Sequence, residues 1–338
     1  MKKLRILALV HEHLVPPDDT TGIDILEADW KMEYDVIETL REMGHDVRVL
    51  GIEDDLVPIR RVANDFKPQI VFNLMEAFAG VTTFDQNVVS YLELLRLPYT
   101  GCNPRGLILA RDKALSKKLL AYHRIPVPDF TVVRRGRRPA LPKKMHFPLI
   151  VKSLYFEASA GISQASVVEN EDQLARRVQF IHDSLGAAIV EQFIEGRELY
   201  VGVIGNDRLE VFPVWEMSFA KMPENRWHIA TERVKWSTQY QKKHGIMTDA
   251  AALDPATIER IQRMAKRAYR ALDLNGYARI DFRLDEEKGP YVLEANPNPN
   301  LAYGEDFAES AETSKVSYER LLDRILALGL RWEPERTG

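Results

Sequence analysis

The chain has 338 residues, of which 45% are hydrophobic and 28% charged, and its formal net charge is -4. This composition is typical of a soluble globular protein, and the length predicts two or three domains rather than one compact core. The charge provides no basic surface for nucleic acid, and no apolar run approaches the roughly 20 residues of a membrane span. Cys102 is the only cysteine, which excludes an internal disulfide and suits a reducing cytoplasm. We therefore expect a cytoplasmic protein with neither nucleic acid nor a membrane as its partner.

The first hundred residues alternate between strand and helix patterns. Strands are predicted at residues 4–10, 47–50 and 69–74, and helices at residues 29–43, 54–66 and 84–96. This alternation predicts a parallel sheet with helices on both faces, as in a Rossmann-like domain. No G-x-G-x-x-G follows the first strand, and no G-x-x-x-x-G-K-[ST] occurs in the chain, so the sequence has neither of the usual phosphate loops.

The rest of the chain groups its strands and helices differently. Strands are predicted at residues 147–152, 164–168, 188–193, 198–204, 277–284 and 291–296, and helices at residues 111–123, 170–185, 254–272 and 318–328. This segregation is typical of an α+β region, which would follow the α/β region of the first hundred residues.

The last two predicted strands form a hairpin around the polar turn at residues 285–290. Alternation of apolar residues sets its register, because a slip by one residue would mix the two faces. The predicted pairs are Leu284 with Tyr291, Phe282 with Leu293, Asp281 with Glu294, and Arg279 with Asn296. One face is then apolar, and the other carries two opposed carboxylates with an amide beside them.

Directly opposed carboxylates repel each other, so a cation must lie between them or one of them must hold a proton. Two carboxylates and an amide oxygen are the hard ligands that suit Mg²⁺, which also shares substrate phosphates. The alternative is a solvated cluster in which Arg279 and Arg283 neutralise the carboxylates without a metal. We favour the metal interpretation.

A second candidate site follows the strand at residues 147–152, which ends at Lys152. The small residues that come next would let backbone N–H groups approach an anion, and Lys152 would direct its charge at a phosphate. A lysine that closes a strand can equally be a solvated edge residue, so this signal alone is weak. Lys113, near the start of a predicted helix, is a second candidate for a phosphate contact.

In combination these features resemble the ATP-grasp superfamily and, more narrowly, the D-alanine–D-alanine ligase family. The resemblance covers nearly the whole chain and is most specific at its C-terminal motifs. The matching motifs are Leu97-Pro-Tyr-Thr-Gly101, Asp112-Lys113, Ile150-Val-Lys152, Glu157-Ala-Ser-Ala-Gly161, Glu191-Gln-Phe-Ile-Glu-Gly-Arg-Glu198, Ala278-Arg-Ile-Asp281 and Leu293-Glu-Ala-Asn-Pro297.

The resemblance implies an ATP-grasp fold behind a Rossmann-like domain at residues 1–103, with a small subdomain at residues 104–190 and a C-terminal one at residues 191–332. It also implies an ADP-forming ligase that activates a carboxylate as an acyl phosphate and joins it to an amine. The cofactors would be ATP and two Mg²⁺ ions, which Mn²⁺ could replace. A homodimer is compatible with the family.

The family's site residues carry over as follows. Lys113 and Lys152 would hold phosphates, with Lys235 near the γ-phosphate and Glu157 in the loop beside the nucleotide. Adenine would meet Glu191, Phe193 and Ile194, and the ribose would meet Glu198. Asp281, Glu294 and Asn296 would bind the metal ions. Arg279 would stabilise charge on the reacting carbonyl, and Ser159 would organise the acid substrate. Residues 221–248 would form a mobile segment over the nucleotide.

The chain departs from the family where the amino-acid substrates bind. Residues 16–27 replace the family's Ser-x-Glu stretch, so Glu27 is only a guess for the ligand of the substrate ammonium. After Asn296, the serine that would hold the acceptor carboxylate is missing, and the acidic pair Glu305 and Asp306 follows. Acidic residues would repel an acceptor carboxylate. We therefore expect poor use of D-alanine and better use of another amino acid or an amine.

Two other functions stay open at this stage. The first is an ATP-binding regulatory or interaction protein of the same fold that has lost ligation, although a pure binder has no use for Arg279. The second is phosphoryl transfer to a hydroxyl, which needs a base near the acceptor, and the sequence offers no clear candidate.

Overall fold

A computed structural model describes residues 2–155 and 161–333. Its first sheet is parallel, with strands β1 (Arg5–His11), β2 (Asp46–Ile52) and β3 (Ile70–Asn73) in the order β2-β1-β3. Helices α1 (Lys31–Glu42), α2 (Val57–Phe66) and α3 (Asp85–Leu94) alternate with the strands. The alternation predicted from the sequence is confirmed.

Both faces of this sheet are buried, because successive side chains of β1 belong to two different clusters. Leu7 and Leu9 pack with residues of the central core, whereas Ile6 and Ala8 pack with the apolar face of α1. The run of apolar residues in β1 therefore reflects coverage on both sides, as in other parallel sheets.

The second sheet begins after two consecutive helices, α4 (Pro104–Arg111) and α5 (Lys113–Tyr122). The helix predicted at residues 111–123 corresponds to α5, whereas α4 was not predicted. The extended backbone of Asp112 separates the two helices, and its carboxylate accepts hydrogen bonds from the N–H groups of Ala114 and Leu115. This N-cap places Lys113 at the first position of α5.

The second sheet is antiparallel, with strands in the order β4-β7-β5-β6. Its elements are β4 (Phe130–Val133), β5 (Leu149–Ser153), β6 (Val167–Val168), helix α6 (Glu171–Ser184) and β7 (Ala188–Gln192). Leu174, Val178 and Ile181 of α6 pack against the sheet.

The third sheet is also antiparallel, in the order β10-β9-β8-β11-β12. Its strands are β8 (Arg197–Ile204), β9 (Glu210–Phe219), β10 (Ile246–Ala250), β11 (Tyr277–Asp285) and β12 (Gly289–Pro297). The helices are α7 (Glu232–Trp236), α8 (Thr238–His244), α9 (Pro255–Ala271), α10 (Asp306–Thr313) and α11 (Tyr318–Gly329).

Strands β4, β9 and β10 and helices α4 and α10 were not predicted. The irregular charges of residues 221–248 hid α7, α8 and the first residues of β10. Helix α11 returns to the first sheet, where Leu321 and Ile325 join the cluster of Ile6 and Ala8. Among the helices described, none is long and apolar enough to cross a membrane.

The predicted hairpin register is correct at the candidate site and wrong nearer the turn. Asp281 pairs with Glu294 and Arg279 with Asn296, as the alternation indicated. The register then shifts by one residue, so that Phe282 pairs with Val292 instead of Leu293. Val292 is fully buried and Leu293 is not. Because of the β-bulge, Val292 points into the core in place of Leu293.

A buried carboxyl group in α1 makes the stability of the fold depend on pH. Glu33 is 1% exposed, and neither of its carboxylate oxygens has a well-oriented hydrogen-bond partner among the residues described. Burial raises the pKa of Glu33 to about 8 from an ordinary 4.5, outweighing the opposing effect of its own backbone N–H. Between these two values the unfolded chain is ionised at Glu33 while the native chain keeps its proton, so stability falls as pH rises.

Replacing Glu33 by a neutral isostere should therefore stabilise the protein only at high pH. Glu33→Gln should change the free energy of unfolding little at pH 4.5 and increase it at pH 8.5, by at most about 5 kcal/mol at 1.36 kcal/mol per unit of pKa. Urea unfolding at the two pH values measures the difference. Glu42→Gln, exposed on the same helix, is the control. An effect of Glu33→Gln that does not vary with pH would contradict the prediction.

Candidate active site

A cleft lies where the second and third sheets meet, and it collects most of the residues predicted from the sequence. Strands β5 and β7 supply one wall, and β11 and β12 supply the other. The predicted residues that line it are Lys152, Glu191, Phe193, Ile194, Glu198, Lys235, Asp281 and Glu294. Residues from distant parts of the chain are thus brought together, as a nucleotide site in this fold would require.

Asp281, on β11, is held by two neighbours on its own face of the sheet. Arg279 donates from Nε to Oδ1 at 2.8 Å and from Nη2 to Oδ2 at 3.0 Å, and the Asn296 amide donates to Oδ2 at 2.9 Å. With its nitrogen engaged in this way, the amide of Asn296 has its oxygen left for a cation. The residues therefore offer two carboxylates and an amide oxygen, which fit a Mg²⁺ ion.

The opposed carboxylates do not by themselves require a metal, because each already has positive partners. Arg279 neutralises Asp281, as the alternative interpretation expected. Arg283, however, pairs at 2.9 Å with Glu198 rather than with the opposed carboxylates. Glu294 faces lysines instead, and Lys113 Nζ lies 3.9 Å from its Oε2.

These lysines keep the Glu294 carboxylate ionised. Burial alone would raise the pKa of Glu294, but Lys113, Lys152 and Lys235 outweigh burial and lower it to about 2. Glu294 is therefore ionised throughout the physiological range, which is the state that a metal ligand needs.

Glu191 lies between two lysines beneath the cleft. Its Oε1 is 3.3 Å from Lys117 Nζ and its Oε2 is 3.2 Å from Lys152 Nζ, and its side chain is 1% exposed. Burial would raise the pKa of Glu191, but the two lysines lower it. Lys152 is 9% exposed and ion-paired, so the interpretation of Lys152 as a solvated edge lysine is wrong.

The sequence analysis missed two residues of this cluster, Lys117 and Arg283. A signal for Lys117 was available, since it lies four residues after Lys113 and residues at that spacing share one face of a helix. Arg283 was placed among surface charges, although its side chain is 4% exposed. It donates to Glu198 and to the carbonyl groups of Gly196 and His228.

An apolar slot adjoins the charged cluster. Ile150, Ile162 and Ile229 lie beside Phe193, whose ring meets the Trp227 ring edge-on at a centroid distance of 5.1 Å. Such a slot can receive a planar base. Glu198 lies at the edge of this slot, where it accepts hydrogen bonds from Tyr200 and Arg283, each at 2.9 Å.

The remaining predicted residues are less closely defined. Glu157 and Ser159 lie outside the residues described. Lys235, in α7, borders the cleft. Glu27 is exposed at the end of a short 3-10 helix (Ile25–Glu27), and its contact with a substrate ammonium stays a prediction.

The end of the cleft beyond Arg279 is acidic. Asp306, the first residue of α10, lies 3.5 Å from Nη1 of Arg279, and the guanidinium stacks over the Tyr200 ring with its carbon 4.6 Å from the centroid. The guanidinium is thus shared between Asp281 and Asp306.

Comparison with known proteins agrees with this architecture. The fold resembles solved ATP-grasp ligases: the D-alanine–D-alanine ligase of Bacillus anthracis complexed with ATP superimposes with a TM-score of 0.74 over 97% of this chain and 98% of that one, at 21% identity. The predicted ATP-grasp fold with its Rossmann-like parallel-sheet domain is confirmed.

The family follows from the sequence comparisons. A family model described as the D-ala D-ala ligase C-terminus matches residues 119–327. The chain is 32% identical over 263 residues to the D-alanine–D-alanine ligase of Desulfotalea psychrophila, covering 77% of this chain and 78% of that one. It is 30% identical over 307 residues to an uncharacterized protein of Sinorhizobium fredii, covering 88% and 86%. The chain belongs to the D-alanine–D-alanine ligase family.

The cluster predicts a large effect of Lys152 on nucleotide affinity. Lys152→Met should weaken ATP binding by on the order of one to three kcal/mol, the scale of a charge-assisted contact. Titration calorimetry measures the affinity, and a melting curve checks the fold, because Glu191 keeps Lys117 as a partner. Lys118→Met, exposed on α5, is the control. Unchanged ATP affinity in folded Lys152→Met would refute the phosphate role.

Proposed function

We propose that this protein is an ATP-dependent, ADP-forming ligase that joins the carboxylate of an amino acid or small peptide to an amine. The observation that carries the proposal is the buried cluster in which lysines from α5 and β5 face the carboxylates and amide of β11 and β12. Family membership and the likeness to an ATP-bound ligase support it.

In this proposal the cleft binds ATP in an orientation set by its two halves. Adenine lies in the apolar slot with Phe193 and Ile194, beside Glu191, and the ribose meets Glu198. The phosphates extend toward Lys113 and Lys152. Lys235 approaches the γ-phosphate, and the nucleotide contact of Glu157 stays a prediction.

Asp281, Glu294 and Asn296 would hold two Mg²⁺ ions, or Mn²⁺ in their place. When bound, such ions neutralise charge on a transferring phosphoryl group. The chain's own contribution is the fixed position of the ligands on paired strands and the ionised state of Glu294.

The chemistry follows in two steps. A carboxylate oxygen of the first substrate attacks the γ-phosphorus of ATP, the bond to the β,γ-bridging oxygen breaks, and ADP leaves. The amine of the second substrate then attacks the carbonyl carbon of the acyl phosphate, phosphate leaves with the C–O bonding electrons, and the nitrogen loses a proton. Arg279 would stabilise the oxyanion of this second step, with Ser159 organising the first substrate.

The acceptor is expected to be an amine without a nearby carboxylate. In the family-type arrangement a serine after Asn296 would hold the acceptor carboxylate. Here that serine is missing, and Asp306 lies 3.5 Å from the guanidinium of Arg279 instead. A second negative group there would meet Asp306 and Glu305 and would be repelled. A cytoplasmic location and a homodimer stay predictions that accompany this proposal.

A panel of carboxylates and amines, each assayed for ADP and phosphate release from ATP, tests the ligase assignment. Release that requires both a carboxylate and an amine, with formation of their amide, supports it. Release of AMP, or phosphate release that no pair of substrates stimulates, would refute it.

The proposed metal site predicts that replacing Glu294 by its neutral isostere removes most of the ATP turnover. Glu294→Gln should fold normally but lower Mg²⁺-dependent ATP turnover by at least about 100-fold, because a neutral amide cannot balance the charge of the metal. Steady-state ADP release is the measurement, with circular dichroism as the fold check. Glu287→Gln, exposed in the turn of the same hairpin, should retain full turnover. Normal turnover in folded Glu294→Gln would disprove the assignment.

Asp306, at the acidic end of the cleft, predicts that acceptors with a carboxylate are used poorly. With ATP, Mg²⁺ and D-alanine, the wild type should form little or no D-alanyl-D-alanine, as measured by mass spectrometry. Asp306→Asn should raise kcat/KM for a carboxylate-bearing acceptor, relative to a simple amine, by about tenfold, since removing one like charge near a surface is worth roughly 1.4 kcal/mol or more. Efficient dipeptide synthesis by the wild type would show that the acidic pair does not line the acceptor site.

A further inference from the structure

Lys117 is a buried cation that joins three elements of the cleft. Its side chain is 1% exposed, its Nζ lies 3.3 Å from Glu191 Oε1, and it donates a hydrogen bond to the carbonyl oxygen of Leu293. Lys117 belongs to α5, Glu191 to β7 of the second sheet, and Leu293 to β12 of the third. A single ammonium group therefore ties one helix to both sheets that form the cleft.

The bond to Leu293 falls at an irregular point of the hairpin. Asp281 pairs with Glu294 and Phe282 pairs with Val292, so Leu293 has no partner residue on β11. A bulge residue lacks the ladder bonds that fix an ordinary strand residue, and bulges often re-aim the side chains beside them. The Leu293 carbonyl belongs to the peptide unit that leads directly into Glu294, and Lys117 holds that carbonyl.

The bond to Glu191 has a second consequence. Glu191 is shared between Lys117 and Lys152, at 3.3 and 3.2 Å. Without Lys117, the buried Glu191 carboxylate would have Lys152 as its principal partner and would draw the Lys152 ammonium more strongly. Lys117 thereby helps to leave Lys152 available for an incoming phosphate.

We propose that Lys117 is a positioning residue for the metal–nucleotide site. It fixes the Leu293 peptide so that Glu294 faces Asp281 across the hairpin, and it balances the charge of Glu191. Its ammonium group is enclosed by protein, so it touches neither nucleotide nor metal. The inference rests on the proposed assignment of Asp281, Glu294 and Asn296 as metal ligands.

A merely structural lysine would give a different result from a positioning residue. Loss of a structural contact lowers the melting temperature and the fraction of folded protein, but the folded molecules keep their metal affinity. Loss of a residue that orients a metal ligand typically costs roughly 10- to 100-fold in metal affinity.

The test measures metal binding directly and needs no turnover. Free Mn²⁺ is followed by electron paramagnetic resonance during titration of the full-length protein at saturating ADP. Lys117→Met should raise the half-saturating Mn²⁺ concentration by about tenfold or more. Lys118→Met, the next residue on α5 but exposed, should leave it unchanged. If Lys117→Met does not fold, Lys117→Gln should show the same rise.

Two results would overturn the inference, and they are distinguishable from failure of the ligase assignment. An unchanged half-saturating concentration in folded Lys117→Met or Lys117→Gln would leave Lys117 with a structural role only. An equal rise in Lys118→Met would show a general effect of charge on α5. Absence of Mn²⁺ binding by the wild type with ADP would instead remove the metal site itself, and the inference with it.

Discussion

The charge balance at the junction of the second and third sheets is the constraint on which the rest of the site depends. Lys113, Lys117 and Lys152 face Glu191 and Glu294 in a region largely removed from water. Buried charges are tolerated only when they are paired, and here α5 supplies cations that reach both sheets, with Lys117 paired to Glu191 and Lys113 to Glu294. The two halves of the cleft are therefore held together through α5, next to the lysines that would receive the nucleotide, and the three lysines exceed the two carboxylates by one charge.

That surplus gives the cleft its preference for a polyanion. Asp281 is balanced separately by Arg279, so the lysine excess remains available to triphosphate. Magnesium would then bring further positive charge to the hairpin edge, where ionised Glu294 and the Asn296 oxygen can receive it. In the proposed function the cleft would accept both phosphates and metal, because each would enter a region with a charge opposite to its own. At the far end, Asp306 adds a negative charge beside Arg279, and in the proposed function this charge would select against an acceptor carboxylate.

The sequence predicted much of this site because its strongest signals are local. Alternation along β11 and β12 placed Asp281 opposite Glu294, and the order of the motifs placed Lys152 and Glu191 together. What escaped prediction depends on distant contacts. The bulge at Leu293 accompanies a hydrogen bond from Lys117, which lies 176 residues away in the sequence. The alternation of residues within the hairpin therefore could not predict the bulge. Helix α4 also escaped prediction, because it has only eight residues and ends at Arg111, just before Asp112 caps α5.

The central claim is that the clustered cations and carboxylates activate a carboxylate by phosphorylation. Transfer of ¹⁸O tests it most directly, using the best donor and acceptor found for the enzyme. The donor carboxylate is labelled in both oxygens, and the phosphate released is analysed by mass spectrometry. The account predicts one ¹⁸O atom in each phosphate formed with the amide, because the donor oxygen becomes the bridging oxygen of the acyl phosphate and leaves with phosphorus. Amide formation with unlabelled phosphate, or with label in AMP, would contradict it.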